Sequence, residues 1–289
     1  MQTAVAIRFD PEQYKRTTYS QWQDAAEAWH RWGPTLRAWL GPATERMLDL
    51  ARVTEGSRVL DVAAGAGEQS FAIAERVGSR GHVLATDLSP AILEFAASDA
   101  RTRGITNVTT RVMDGEENDL ESESFDVAVS RVGLIYFPDQ AKALRHMHRV
   151  LVPGGRIAAM VWGPAENNAF FSKPVAIMRR RAALGPPLPG QPGPFSLSSR
   201  ETITRLYEAA GFTDVTFEHI DAPLRLRAAS ECLAFERESF GALHQMLSGL
   251  DEAEKTAAWE EVATELRTLE GPGGFEAACV MAIAVGTKA

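Results

Sequence analysis

A short stretch, VLDVAAGAGEQS from Val59 to Ser70, places a carboxylate next to a backbone of small residues. Asp61 lies in an apolar run, and Gly65 and Gly67 follow it. Glycines at this spacing, directly after a strand, let a ligand approach the main chain closely. A nucleoside-triphosphate loop would place a lysine after its last glycine, but Glu68 stands there. The stretch therefore predicts a ligand site that is not built for a triphosphate.

Two more acidic residues stand at the ends of the next predicted strands. Asp87 lies about 20 residues beyond the glycines, where a carboxylate can accept hydrogen bonds from ribose hydroxyls. Asp114 can accept from an adenine amino group, with Met113 and Leu88 as apolar contacts to the ring. Three carboxylates suit a ligand that carries an ammonium and a sulfonium better than a pyrophosphate. The pattern favours S-adenosylmethionine, while a dinucleotide turn with Ser70 in the third place stays open.

The elements that must position these residues alternate along the chain. Amphipathic helices come first, and from Ser57 short apolar runs alternate with helical segments. This alternation predicts an α/β fold in which a doubly wound, mostly parallel sheet has helices on both faces. The strand runs are apolar throughout, as expected for strands that are covered on both sides.

We expect the chain to divide into three parts. Residues 1–56 form an N-terminal helical lid, residues 57–163 the cofactor-binding core, and residues 164–289 the rest of the sheet. The third part includes a lid loop at 164–195, where regularity fails and where the stretch GPPLPGQPGPF, at 185–195, is too rich in Pro and Gly for a helix or a central strand. It also includes a helical insertion at 230–270, before the last strand.

The composition of the chain limits its function. The 289 residues, 45% of them hydrophobic, can bury one large core. A net charge of −8 without a basic block argues against nucleic acid as a partner. Cys232 and Cys279 match no metal or redox spacing, so we expect reduced thiols and no metal. No apolar run approaches the ~18 residues of a membrane span and no signal peptide is evident, so we predict a cytoplasmic protein.

Five motifs occur in order between Val59 and Trp162: VLDVAAGAG, ATDLS, VMDGEE, FDVAVSRVGLIYF and RVLVPGGR. Together they resemble the class I S-adenosylmethionine-dependent methyltransferases. Within this family, the sequence most resembles the ubiquinone/menaquinone biosynthesis methyltransferase type. The resemblance implies a Rossmann-like sheet of seven strands and S-adenosyl-L-methionine as the cofactor.

The resemblance also implies roles for individual residues. The methionine end of the cofactor would be held by Asp61 and the backbone from Ala63 to Gly67, the ribose by Asp87, and the adenine by Asp114 with Gly115. The chain departs from the family in two places. Ala63 replaces the usual first glycine, and we expect it at negative φ. The segment SRVGLIYF lacks the arginine-asparagine pair of the quinone-pathway enzymes, so the resemblance does not extend to a quinone-precursor substrate.

Residues near other strand ends and in the lid are candidates to surround a small-molecule substrate. Arg131 ends the fourth strand, and we assign it to the cofactor. The substrate-lining candidates are Tyr136, Trp162, Asn167 and Trp29. The alternative to substrate contact is a structural role: the aromatic side chains would pack in the core, and Asn167 would form a turn. The three strand-end aspartates could likewise be helix caps.

Catalytic side chains are harder to identify. Tyr136 is a candidate for orienting the substrate through its hydroxyl, and His30 is a candidate general base. A dedicated base is optional, because holding the nucleophile and the methyl group in line supplies much of the rate. We expect methyl transfer to an O, N or C nucleophile of a small molecule. An NAD(P)-dependent oxidoreductase and a non-catalytic cofactor-binding partner protein are the alternatives, and a homodimer is possible.

Overall fold

The computed structural model describes residues 9–188 and 190–289. Ten strands are present in this part of the chain: β1 (Arg58–Val62), β2 (His82–Asp87), β3 (Val108–Val112), β4 (Phe125–Arg131), β5 (Leu151–Trp162), β6 (Phe212–Asp221), β7 (Leu224–Leu226), β8 (Glu270–Gly271), β9 (Gly274–Ala277) and β10 (Val280–Lys288). The helices are α1 (Pro11–Arg31), α2 (Gly33–Leu50), α3 (Glu68–Val77), α4 (Pro90–Thr102), α5 (Gln140–Val150), α6 (Ala169–Arg181), α7 (Arg200–Ala209), α8 (Ala229–Ser239), α9 (Gly241–Met246) and α10 (Glu252–Arg267).

Seven strands form the main sheet in the order β3-β2-β1-β4-β5-β10-β6. Strands β1 to β5 pair in parallel, whereas β10 runs antiparallel to both β5 and β6. The direction of winding reverses between β1 and β4, and such a reversal opens a crevice at the carboxyl ends of the two strands. The predicted doubly wound, mostly parallel sheet of seven strands is confirmed.

The centre of the sheet is apolar because helices cover both of its faces. The inner strands β1, β4, β5 and β10 consist largely of buried aliphatic and small residues, as the sequence runs predicted. Local signals fix where helices begin. Ser89 precedes α4, accepts from the Ile92 N–H, and is followed by a proline in the first turn.

The predicted lid loop at 164–195 is wrong over much of its length, because α6 occupies residues 169–181. Pro174 lies inside this helix without ending it. Phe170, Phe171 and Met178 lie on one side of α6 and are fully buried. Their burial outweighs the cost of the internal proline, which composition alone overestimates.

The carboxyl-terminal part contains the predicted helical insertion as α8, α9 and α10. It also holds a second sheet that the sequence did not suggest, with three strands in the order β7-β9-β8. These strands have two to four residues each, too few for an alternating pattern to stand out. None of the helices described is long and apolar enough to cross a membrane.

Asn168 joins the start of α6 to the start of β10. Its side-chain nitrogen donates to the carbonyl oxygens of Pro164 at 2.9 Å and Val280 at 3.2 Å, and its side-chain oxygen accepts from the Val280 N–H at 3.2 Å. The residue is fully buried, so water cannot replace these bonds. The neighbouring Asn167 is exposed.

We expect Asn168→Ala to lower the free energy of unfolding by about 1–3 kcal/mol, because it removes three hydrogen bonds of a buried side chain and leaves the Val280 N–H without its partner. Asn167→Ala, the matched control, should leave stability unchanged within about 0.5 kcal/mol. Urea titration of the two variants measures the difference. Equal stabilities would mean that Asn168 does not hold the two elements together.

Candidate functional site

A deep cavity lies at the carboxyl ends of the central strands, beneath α1 and α2. One half is formed by strand ends and the turns that follow them, and it includes Ala63, Gly65, Asp87, Leu88, Met113, Asp114 and Gly115. The other half is largely aromatic and includes Trp22, Trp29, Trp39, Tyr136, Trp162 and Phe240. The cavity coincides with the crevice that the sheet topology creates.

The turn after β1 depends on left-handed backbone conformations. Gly65 has φ of 59°, and a Cβ at this position would lie 3.1 Å from the indole nitrogen of Trp29. Ala63 also adopts φ of 59°, so the expected negative φ is wrong. This conformation costs a residue with a Cβ about 1–2 kcal/mol. Gly133 lies against Ala63, and a Cβ at 133 would overlap the Cβ of Ala63.

Asp61 lies behind this turn and is fully buried. Its carboxylate accepts from the side-chain nitrogen of Gln69, and from the Ser70 hydroxyl at 2.5 Å. Burial raises the pKa of Asp61 to about 6, although both hydrogen bonds act in the opposite direction. Asp61 does not line the cavity, whereas Gln69 does. The predicted contact between Asp61 and a ligand stays a prediction, and Gln69 is the partner of Asp61 that reaches the cavity wall.

Gln69 was not among the site residues predicted from the sequence, and it lies in the first turn of α3. Its side-chain oxygen is buried and has no hydrogen-bond partner among the residues described. A buried carbonyl oxygen without a partner is costly, so a donor supplied by a ligand would stabilise it. An ammonium group is such a donor. The only signal in the sequence was its position directly behind the glycine turn, eight residues after Asp61.

Asp87 ties two turns together at the end of β2. Its carboxylate accepts from the Gly65 N–H and from the Ser89 N–H, each at 3.0 Å. Burial raises the pKa of Asp87, and these backbone hydrogen bonds oppose the rise. The side chain also lines the cavity, so the structure places it where the sequence predicted.

Asp114 lines the cavity at the end of β3 and binds a lysine from the N-terminal helix. The Lys15 ammonium lies 2.7 Å from Asp114 and 2.5 Å from Glu116. Burial lowers the pKa of Lys15, but the two carboxylates outweigh it and raise the pKa to about 12. The sequence did not point to Lys15, because it precedes Asp114 by 99 positions in the chain.

The ends of β4 and β5 supply the polar groups of the aromatic half. Arg131 donates to the Thr44 hydroxyl at 3.1 Å. Trp162 stacks on Trp39 with ring centroids 5.5 Å apart. Tyr136 packs edge-on against Trp22, and burial raises the pKa of Tyr136 well above its ordinary value. The Tyr136 hydroxyl therefore stays protonated at neutral pH.

Besides Asp61, three of the predicted site residues lie outside the cavity walls. His30 hydrogen-bonds to Asp99 at 3.1 Å and stacks on Phe95, on a neighbouring surface cleft. Asn167 is exposed in a short 3-10 turn beyond β5. Gly67 precedes α3 with φ of 87°, and a Cβ there would lie 2.9 Å from both Ala96 and Phe71. Gly67 thus serves packing, and His30 is not placed to act as a base in the cavity.

The predicted residues that do line the cavity are Ala63, Gly65, Asp87, Leu88, Met113, Asp114, Gly115, Arg131, Tyr136, Trp162 and Trp29. Trp39 and Phe240 join them from α2 and from the α8–α9 junction. In the ranges 9–188 and 190–289, no group of three His, Cys, Asp or Glu residues is arranged to hold a metal ion.

The raised pKa of Asp61 predicts a pH-dependent stability. Because the folded pKa, about 6, exceeds the ordinary 3.8, the contribution of Asp61 is fully present below pH 3.8 and is lost as pH rises through 6. Between pH 4 and pH 7 the wild type should lose up to about 3 kcal/mol relative to Asp61→Asn, which does not titrate. Urea unfolding of both proteins across this range gives the difference. A constant difference would show that Asp61 ionises normally.

Known proteins are similar to this chain in sequence and in fold. A family model for a methyltransferase domain matches residues 53–171. The nocamycin O-methyltransferase of Saccharothrix syringae is 30% identical over 201 residues, which cover 65% of this chain and 70% of that protein. The ubiquinone/menaquinone biosynthesis C-methyltransferase UbiE of Idiomarina loihiensis is 38% identical over 130 residues, 45% of this chain. The match spans about half, 48%, of UbiE.

Among solved structures, the YcgJ protein of Bacillus subtilis shares the fold, with a TM-score of 0.58 and 19% identity. The superposition covers 86% of this chain and 98% of YcgJ. The resemblance inferred from the five motifs is confirmed by these matches, including its likeness to the ubiquinone/menaquinone type. The chain belongs to the S-adenosylmethionine-dependent methyltransferases.

Proposed function

We propose that this protein transfers the methyl group of S-adenosyl-L-methionine to a small-molecule acceptor. The observation that carries the proposal is the convergence of Gly65, Asp87 and Asp114 on one cavity, whose other half is aromatic. Relatives named for nocamycin and for ubiquinone/menaquinone biosynthesis support a small-molecule acceptor.

The residues present fit the cofactor. The unpartnered oxygen of Gln69 suits the ammonium of the methionine end, and the turn at Gly65 lets the cofactor approach the backbone. Asp87 would accept from the ribose hydroxyls, and Asp114 with Gly115 would hold the adenine. When bound, the cofactor supplies a methyl group on a sulfonium that leaves readily. The protein has to orient the acceptor and exclude water.

The aromatic half of the cavity meets both needs. Trp29 and Trp39 approach from α1 and α2, and Trp162 closes the wall at the end of β5. Such walls exclude water and hold an acceptor in line with the methyl group. Tyr136 acts as a protonated hydroxyl that orients the acceptor, because burial keeps its pKa high. No side chain is required to act as a general base.

The two alternatives find less support. An NAD(P)-dependent oxidoreductase is not favoured, because the matched relatives are methyltransferases. A non-catalytic partner protein would have a filled substrate cleft, whereas this cavity continues past the cofactor half to Trp162 and Phe240.

We also propose that α1 and α2 act as the lid over the cofactor. Lys15 connects α1 to the turn after β3, and Gln23 of α1 accepts hydrogen bonds from Ser89 and from the Ala91 N–H at the start of α4. These contacts span both strand ends of the proposed adenine and ribose sites. The cytoplasmic location and the homodimer stay predictions.

Binding of the cofactor is the first test. S-adenosylmethionine or S-adenosylhomocysteine should raise the melting temperature, because a ligand of the native state stabilises it by mass action. Asp87→Ala should weaken binding at least about tenfold in calorimetry, since it removes two charge-assisted hydrogen bonds. Asp119→Ala, at an exposed carboxylate paired with Arg111, is the matched control. Failure of both ligands to bind the wild type would refute the proposed function.

The lid contact gives a second prediction. Lys15→Gln should weaken binding of S-adenosylhomocysteine about fivefold, because it removes about 1 kcal/mol of attraction between α1 and the turn after β3. Arg16→Gln changes an exposed neighbour on the same helix and should bind as the wild type does. Calorimetry of the three proteins compares them. If Lys15→Gln binds with unchanged affinity, closure of α1 is not coupled to the cofactor.

A further inference from the structure

We propose that the acceptor is an oxyanion carried by a planar, apolar molecule, a phenolate, enolate or carboxylate, and that Arg131 positions it. This inference rests on the proposed methyl transfer and adds the chemical class of the acceptor. It depends on the placement of Arg131, on the charges around the cavity and on the shape of the aromatic half.

Arg131 and Trp162 lie on the same face of the sheet. Arg131 pairs with Met160 in the register of β4 and β5, and Trp162 is two residues beyond Met160. Side chains two residues apart on a strand point to the same side, so both face the cavity at the carboxyl end of the sheet. The guanidinium therefore adjoins the aromatic half, where an acceptor would bind.

The guanidinium has donors to spare. An arginine carries five N–H groups, and the hydrogen bond found for Arg131 among the residues described is the one to Thr44. The other lining cation, Lys15, is held between Asp114 and Glu116. Within the described ranges, Arg131 is the cavity cation that forms no ion pair with a carboxylate. A bidentate anion would satisfy its free donors.

The nearby carboxylates are already engaged. Asp61 and Glu68 are the acidic groups whose charges act on Arg131, and they oppose the effect of burial, which lowers its pKa. Asp61 is bound by Gln69 and Ser70, and Glu68 is paired with Arg37 at 2.5 Å. Neither carboxylate forms an ion pair with the Arg131 guanidinium, which leaves its positive charge to attract an anionic acceptor.

The surroundings also select against other acceptors. An ammonium would be repelled by Arg131, and a neutral alcohol would need a base that the described cavity walls do not offer. Tyr136 is protonated, Asp87 is bound by two backbone N–H groups, and Asp114 is paired with Lys15. An acceptor that arrives ionised needs no base. The stacked rings of Trp39 and Trp162, with Leu36 and Leu40, favour a flat apolar body.

The step balances without another reactant. A lone pair of the acceptor oxygen forms the new O–CH3 bond while the S–CH3 bond breaks, and its electron pair remains on sulfur. The negative charge of the oxygen and the positive charge of the sulfonium are both neutralised. The products are a methyl ether or ester and S-adenosylhomocysteine, and no proton is transferred.

The test uses three naphthalene probes of one size and different charge. We would measure binding of 2-naphthoate, 2-naphthalenemethanol and 2-(aminomethyl)naphthalene to the full chain saturated with S-adenosylhomocysteine, by calorimetry at pH 7.5. Naphthoate should bind at least about tenfold tighter than the alcohol, because only the anion forms charge-assisted hydrogen bonds with Arg131, and the amine should bind weakest. Arg131→Gln should abolish the preference for the anion and leave affinity for the alcohol unchanged.

Variants and cofactor binding separate the outcomes. Arg131→Lys should retain part of the preference, and Arg46→Gln, at a surface arginine of α2 paired with Glu218, should retain all of it. Equal binding of the three probes by the wild type, or no binding of naphthoate, overturns the inference. If Arg131→Gln instead loses S-adenosylhomocysteine, Arg131 holds the cofactor carboxylate and the inference is wrong, while the proposed function stands. Failure of the wild type to bind any cofactor refutes the proposed function itself.

Discussion

One carboxylate holds the site together. Asp87 accepts from the backbone of the turn after β1 and from the backbone that starts α4, so the ends of two strands are fixed by a single side chain. The left-handed turn at Gly65, whose N–H donates to Asp87, lies close to the Trp29 indole. Ser89, next to it, both caps α4 and binds Gln23 of α1. Asp87 and the adjacent Ser89 therefore fix the turn after β1, the first turn of α4 and the contact between α4 and α1.

The sheet and its cofactor half could be predicted from the sequence because their signals are local. An apolar run followed by an aspartate identifies a strand end, and parallel strands bring such ends to one edge. Asp87 and Asp114 were found in this way, and so was the glycine turn. The alternation of strands and helices was enough to predict the doubly wound sheet, because the handedness of parallel crossovers allows few topologies.

The remainder depended on contacts between distant parts of the chain. Lys15 meets Asp114 across 99 positions, and no local pattern indicates that pairing. Asp61 was assigned to the ligand because the sequence shows that it lies at a strand end. Its hydrogen bonds with Gln69 and Ser70 depend on how α3 packs, which the sequence does not show. Helix α6 was missed because the loop predicted from the Pro- and Gly-rich stretch at 185–195 was extended back to residue 164, over aromatic residues whose burial only the packing shows. His30 was a candidate base because it lies among tryptophans in the sequence, but its side chain hydrogen-bonds to Asp99 outside the cavity.

The contact between Ala63 and Gly133 couples the choice of residue at two positions that are far apart in the sequence. A methyl group at 63 occupies the space that a side chain at 133 would need, so only one of the two positions can carry a Cβ in this backbone. Glycine at 63 would remove this overlap, but a Cβ at 133 would still lie 3.0 Å from the Ser130 hydroxyl oxygen. The alanine that stands at 63 in place of the usual glycine therefore ties position 133 to glycine in this backbone, and a substitution at 133 would be felt first at the turn after β1.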